Sequence, residues 1–111
     1  MKEEEYEMKS KRYKSIIIQM LTILDPKNGL VHTREFRPDL NDISDFKKEV
    51  EMELLNSILF ASDGVIKAMT AFIKNPNYSA YVKTVVAMRK DLWGKGTSID
   101  EKDLSFLGKD N

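Results

Sequence analysis

Proline occurs at only three of the 111 positions and glycine at only five. Most of the chain therefore carries no backbone signal that would stop a helix. Between these breakers the apolar residues recur every three or four positions, the spacing of a helix with one buried face. The expected fold class is all-α: a small helical bundle of four main helices with a short C-terminal helix.

Residues 3–24 read as one long helix. Glu5 and Lys9, and Glu7 and Lys11, stand four apart with the acid first, the favourable order on a helix surface. Tyr6, Tyr13, Ile17, Met20 and Leu24 follow a heptad-like stagger. Glu3 to Lys14 has little apolar content, so this half is expected to project from the core or to pair with another chain. Asp25-Pro26 ends the helix, because the residue before proline avoids helical geometry. Asn28-Gly29 signals a turn, and residues 25–41 are expected to form a loop in which Leu30, Val31 and Phe36 could reach the core.

A helical core is expected over 42–93. Asn41 or Asp42 would cap its first helix, with Ile43, Phe46, Val50, Leu54 and Ile58 on the inner face and Leu55 and Leu59 widening it. Ser62 would cap a helix over 63–74 that turns Val65, Met69 and Phe72 inward, separate from the preceding helix or continuous with it through a kink. Asn75 followed by Pro76 reads as the cap and first position of a helix over 76–93. Tyr78, Val82, Val85, Arg89 and Leu92 line it up, Tyr81 and Met88 lie beside them, and Gly94 stops it. Ser98 with Glu101 three residues on suggests a capping box for a short helix over 98–107. No linker or repeat divides residues 1–111, which read as one domain.

Composition excludes several chemistries. There is no cysteine, so disulfides, thiolate metal sites and thiol nucleophiles are ruled out. Eighteen basic and eighteen acidic residues cancel, which gives no bulk support for nucleic-acid binding. The charges are unevenly placed, however. Residues 39–53 hold six acids against Lys47 and Lys48, and residues 67–95 hold six bases against Asp91 alone. These segments would neutralise each other, present solvated faces, or dock between subunits. No apolar stretch is long enough to span a bilayer, and the acidic N-terminus does not resemble a signal peptide.

Catalytic, cofactor and metal residues are not expected. His32 is the only histidine and has no nucleophile motif beside it. Glu49 and Glu53 share a helix face, but a bundle di-metal site needs Glu-x-x-His on two helices. Gly94-Lys95-Gly96-Thr97 lacks the first glycine and preceding strand of a phosphate loop. The basic cluster Lys9, Lys11, Arg12 and Lys14 is offset by Glu3, Glu4, Glu5 and Glu7. The interaction or structural candidates are Tyr6, Tyr13, Ile17, Arg89, Lys90 and Trp93. Tryptophan and arginine are enriched at binding hot spots. Arg89 falls on the apolar line of its helix, where it would need a carboxylate from the acidic helix or from Asp63.

The run Ser62-Asp63-Gly64-Val65-Ile66-Lys67-Ala68, followed by Asn75-Pro76 and Ala87-Met88-Arg89-Lys90-Asp91-Leu92, resembles a family of uncharacterised prokaryotic helical proteins, often membrane-anchored. Family members carry S-D-x-V-I-x-A and A-M-R-K-D-L-G motifs. Trp93 departs from the second, displacing its glycine to Gly94. The resemblance implies a cytosolic helical domain and no reaction. The expected function is a non-catalytic interaction module, self-associating through the long helix over 3–24, in the cytoplasm or at the cytosolic face of a membrane. Its partners would be further copies of itself or another protein, and membrane contact would need a segment absent from this sequence. The alternative is a nucleic-acid-linked accessory protein using the basic 83–95 segment, although nucleic acid is not the expected partner.

Overall fold

A computed structural model describes residues 2–33, 38–40 and 42–108, without the side chains of 31–33. Arg34 to Arg37 and Asn41, including the core candidate Phe36, lie outside the described residues, as do the side chains of Val31 and His32. All regular structure among the described residues is helical. Five α-helices run α1 Glu3–Leu24, α2 Pro26–Thr33, α3 Ile43–Ser57, α4 Asp63–Lys74 and α5 Tyr78–Trp93. Two 3₁₀ turns follow, Gly94–Gly96 and Ser105–Gly108. The radius of gyration, 13.6 Å, is close to the roughly 13 Å expected of a folded chain this long.

The helix α2 was expected to be loop. Pro26 occupies its first turn, where a missing N–H costs nothing, and Asp25 accepts a bond from the Asn28 amide side chain at 2.8 Å. Gly29 is therefore not a turn residue. It allows close approach: a Cβ there would overlap the backbone and side chain of Thr22, with the Thr22 Cβ only 2.7 Å away. Glycine lets α2 fold back onto α1 without a clash.

Asp42 caps α3 through a reciprocal pair with Asp45: the Asp45 amide donates to Asp42 Oδ1 at 3.0 Å, and the Asp42 amide donates to Asp45 Oδ2 at 3.3 Å. The Asp45 amide, joined by the Ser44 hydroxyl, which donates to the same carboxylate at 2.9 Å, holds the Asp42 carboxyl below its ordinary pKa. Ser62 caps α4, accepting from the Val65 amide at 3.3 Å, so α3 and α4 are separate helices joined by a turn. The next boundary differs from expectation. Asn75 closes α4, its amide donating to the Ala71 carbonyl at 3.1 Å. Asn77, not Asn75, caps α5, accepting from the Ala80 amide at 2.8 Å. Asn75, with φ −151° and ψ 84°, serves as the C-cap of α4, and the second asparagine takes the capping role for α5. Gly94 ends α5 with a φ of 56°, which glycine adopts without steric cost.

The tail also differs. No α-helix spans 98–107. The capping pair forms two residues later, with Asp100 Oδ1 accepting from the Asp103 amide at 3.2 Å and Asp103 Oδ2 accepting from the Asp100 amide at 2.9 Å. A turn and a 3₁₀ segment follow.

The core is built on α1, α3, α4 and α5. Tyr13, Ile16 and Met20 from α1 meet Val50 from α3, Val65, Met69 and Phe72 from α4, and Tyr81, Val82, Val86 and Met88 from α5. The buried line of α1 includes Ile16 in place of the expected Ile17, which is only partly covered. Helices α1 and α3 run antiparallel. Arg12 meets Glu53 at one level, and Ile23 lines a small cavity with Lys47 and Val50 at the other. Helices α1 and α5 are antiparallel too, with Lys9 near Asp91 and Ile17 near Val85 and Met88. One end of the molecule therefore gathers the start of α1, the end of α3, the α3–α4 turn and the end of α5.

Candidate functional site

The sequence candidates separate into three places. Tyr13, Ile17, Arg89 and Trp93 line one recess of about 480 Å³ between α1, α5 and the tail. Tyr6 lies exposed in the first turns of α1. Lys90 is one residue round the helix from Arg89 and faces a different groove, between α4 and α5.

Tyr13 takes a structural position. Only 2% of it is exposed, and its hydroxyl donates to Asp91 Oδ2 at 2.5 Å. Lys9 Nζ donates to the same carboxylate at 3.1 and 3.4 Å. Two side chains one turn apart on α1 thus converge on one acid of α5. Burial, reinforced by the hydrogen bond to Asp91 and by its charge, raises the Tyr13 pKa well above the ordinary phenol value. The first half of α1 is consequently not a wholly projecting arm: from Lys9 onward it is tied to α5, and Arg12 Nη1 donates to Glu53 Oε1 at 3.2 Å. Residues Glu3 to Met8 are exposed.

Asp91 and Lys9 were not among the sequence candidates. The signal for Asp91 was its position as the only acid in a basic stretch. Within the acidic segment 39–53, Glu53 likewise pairs with a cation on α1, Arg12.

Arg89 has no carboxylate partner among the described residues. Its Nε donates to Thr97 Oγ1 at 2.9 Å, and its guanidinium carbon lies 4.9 Å from the centroid of the Trp93 ring, within cation–π range. Thr97 Oγ1 also accepts from the Ile99 amide at 3.2 Å. Arg89 therefore fastens the tail to α5. The expected ion pair to the acidic helix or Asp63 is replaced by a hydroxyl and an aromatic face.

The most exposed apolar side chains were expected inside. In α3 the buried positions are Phe46, Val50, Glu53 and Ser57, spaced four, three and four. At its C-terminal half that line carries Glu53 and Ser57, so the apolar residues lie to the side or outside. Leu54 is half-buried, whereas Met52, Leu55 and Ile58 are more than half exposed and Leu59 is 92% exposed. The antiparallel packing places Tyr6, Met8 and the half-exposed Trp93 at this same end. The overlooked signal is excess: Leu54, Leu55, Ile58, Leu59 and Phe60 hold more apolar surface than one helix face can bury.

No group of three potential metal ligands occurs among the described residues, and no described helix is long and apolar enough to cross a membrane. Comparison with protein-family models, curated proteins and solved structures gives no significant match. The resemblance drawn from the Ser62–Ala68 and Ala87–Leu92 motifs accordingly rests on those residues alone.

Proposed function

We propose that this chain is a non-catalytic helical interaction module, its four long helices forming a small bundle that self-associates through the end where α1 begins and α3 stops. The observation that carries this reading is the apolar surface at that end, led by Leu59 with Leu55, Ile58 and Met52 on α3 and the following turn. Contiguous apolar surface on a helical protein marks an interaction site more often than scattered exposed residues do. Tyr6 and Met8 are exposed apolar side chains on α1 at the same end. The proposed setting is the cytoplasm or the cytosolic face of a membrane.

The absence of cysteine makes a direct test simple. Leu59→Cys should give a disulfide-linked dimer under mild oxidation. Lys74→Cys, at the opposite end of α4, should remain uncrosslinked under the same conditions. Equal crosslinking of both variants, or of neither, contradicts the reading.

One observation favours a second reading. Lys67, Lys83 and Lys90 line a groove of about 650 Å³ between α4 and α5, with Glu101 as the one acid among the described lining residues. A cationic groove attracts a phosphate backbone. Retention of DNA or RNA that weakens steeply with salt, and is lost on Lys83→Glu with Lys90→Glu, would favour a nucleic-acid-linked role. Unaltered elution at low salt would remove it.

A further inference from the structure

The recess between α1, α5 and the tail has the composition of a small-molecule site, and nothing above assigns it one. Its volume, about 480 Å³, lies within the range of ligand pockets. Ile17, Val85, Met88, Leu92, Ile99 and Leu104 form most of its wall. The charged residues that line it are Lys14 and Arg89, both cationic, with no carboxylate among the described lining residues. Asp91, the acid nearest to Arg89 in sequence, is engaged by Lys9 and Tyr13 instead.

Arg89 is held in place before any ligand arrives. Thr97 fixes its Nε and the guanidinium carbon lies over the Trp93 ring, while its two terminal nitrogens have no partner among the described residues. Two parallel N–H donors on a fixed plane match the two oxygens of a carboxylate. A side chain already fixed loses less rotational freedom on binding.

We propose that this recess binds a small amphipathic carboxylate, its hydrocarbon part against the apolar wall and its carboxylate paired with the free edge of Arg89, with Lys14 contributing a second positive charge at the rim. This proposal does not rest on the self-association proposed above.

Trp93 is the only tryptophan in the chain and lines the recess, so its fluorescence reports occupancy. Titration of the full chain with octanoate below its micelle concentration should give a saturable change in emission. 1-Octanol, with the same chain and no charge, should bind about tenfold more weakly, the factor expected for loss of a charge-assisted hydrogen bond. Arg89→Lys, which keeps the charge but loses the fork and the Thr97 bond, should weaken octanoate more than octanol. Lys14→Met, on the exposed side of α1, should weaken octanoate less and serves as the variant least able to disturb folding. Repeating the titration on Leu55→Glu/Leu59→Glu separates ligand binding from association, because only an association signal would disappear. No saturable change with octanoate, or equal affinity for octanoate and octanol, overturns the proposal.

Discussion

Helices α3 and α4 carry similar apolar patterns and use them differently. In α4 the spacing of Val65, Met69 and Phe72 is also the pattern of burial, and all three are fully covered. In α3 the first half behaves likewise, with Phe46 and Val50 inside. The second half turns Glu53 and Ser57 inward and leaves Leu55, Ile58 and Leu59 in solvent. Periodicity establishes that a segment is a helix with an apolar face. It settles which face is covered only when the apolar residues fill a single face, as in α4. Where they surround the helix, the neighbouring helices decide, and here α1 offers Arg12 to Glu53.

The largest expected effect tests the α4 side of this contrast. Phe72→Ala should lower unfolding free energy by about 3–5 kcal/mol, the usual cost of a large core cavity, read from chemical denaturation. A loss below about 1 kcal/mol would mean that α4 is not the packed helix it is taken to be.

Next comes the other site where polar groups occupy the interior. Asp91→Ala leaves the Tyr13 hydroxyl and the Lys9 ammonium without their partner, at positions where the ion-pair side chains are only 12% and 10% exposed. A loss on the order of 3 kcal/mol is expected. The same contact sets an alkaline limit. The folded-state pKa of Tyr13 is raised above its unfolded value near 10.0. Its contribution is therefore full below pH 10 and declines as pH rises past that value. Tyr13→Phe should be less stable at pH 7 but should show a shallower decline above pH 10. Parallel profiles would contradict the burial of the phenol.

Glu53→Leu sharpens the α3 side. It replaces a buried carboxylate with the kind of residue that the core usually takes and releases Arg12, which is 44% exposed, to solvent. Stability should change by no more than about 1 kcal/mol in either direction, because buried ion pairs are often replaceable by apolar groups. A loss of several kcal/mol would show that the Arg12 pair holds α1 against α3. The smallest effect is expected for Leu59→Ala, within about 0.5 kcal/mol in the monomer, although Leu59 is as hydrophobic as any core residue.

These contrasts also show what was legible in the sequence. The cap Ser62, the stop at Gly94, the span of α1 and the face of α4 depend on neighbours within a few residues and are legible in the sequence, whereas the α3 cap is narrowed only to Asn41 or Asp42. Helix α2 was missed because Pro26 and Gly29 resemble turn residues, whereas their roles, at a helix start and in a close approach to Thr22, depend on tertiary packing. Asn75 and Asn77 are equally good caps locally, but Asn75 closes α4 and Asn77 opens α5. The Tyr13–Lys9–Asp91 contact joins residues some eighty positions apart, and no local pattern encodes it. Of the candidate site, Tyr13, Ile17, Arg89 and Trp93 were recognisable as unusual, but that they line one recess emerges only when α1 and α5 pack antiparallel.

The central claim is that the end of α3 is a surface for partners rather than misplaced core. Its most direct test is solution mass by light scattering across a range of concentrations, on the full chain and on Leu55→Glu/Leu59→Glu. The account predicts an oligomer for the first and a monomer of unchanged thermal stability for the second. A wild-type chain that stays monomeric at every concentration, or a double variant that keeps its oligomeric mass, would contradict it.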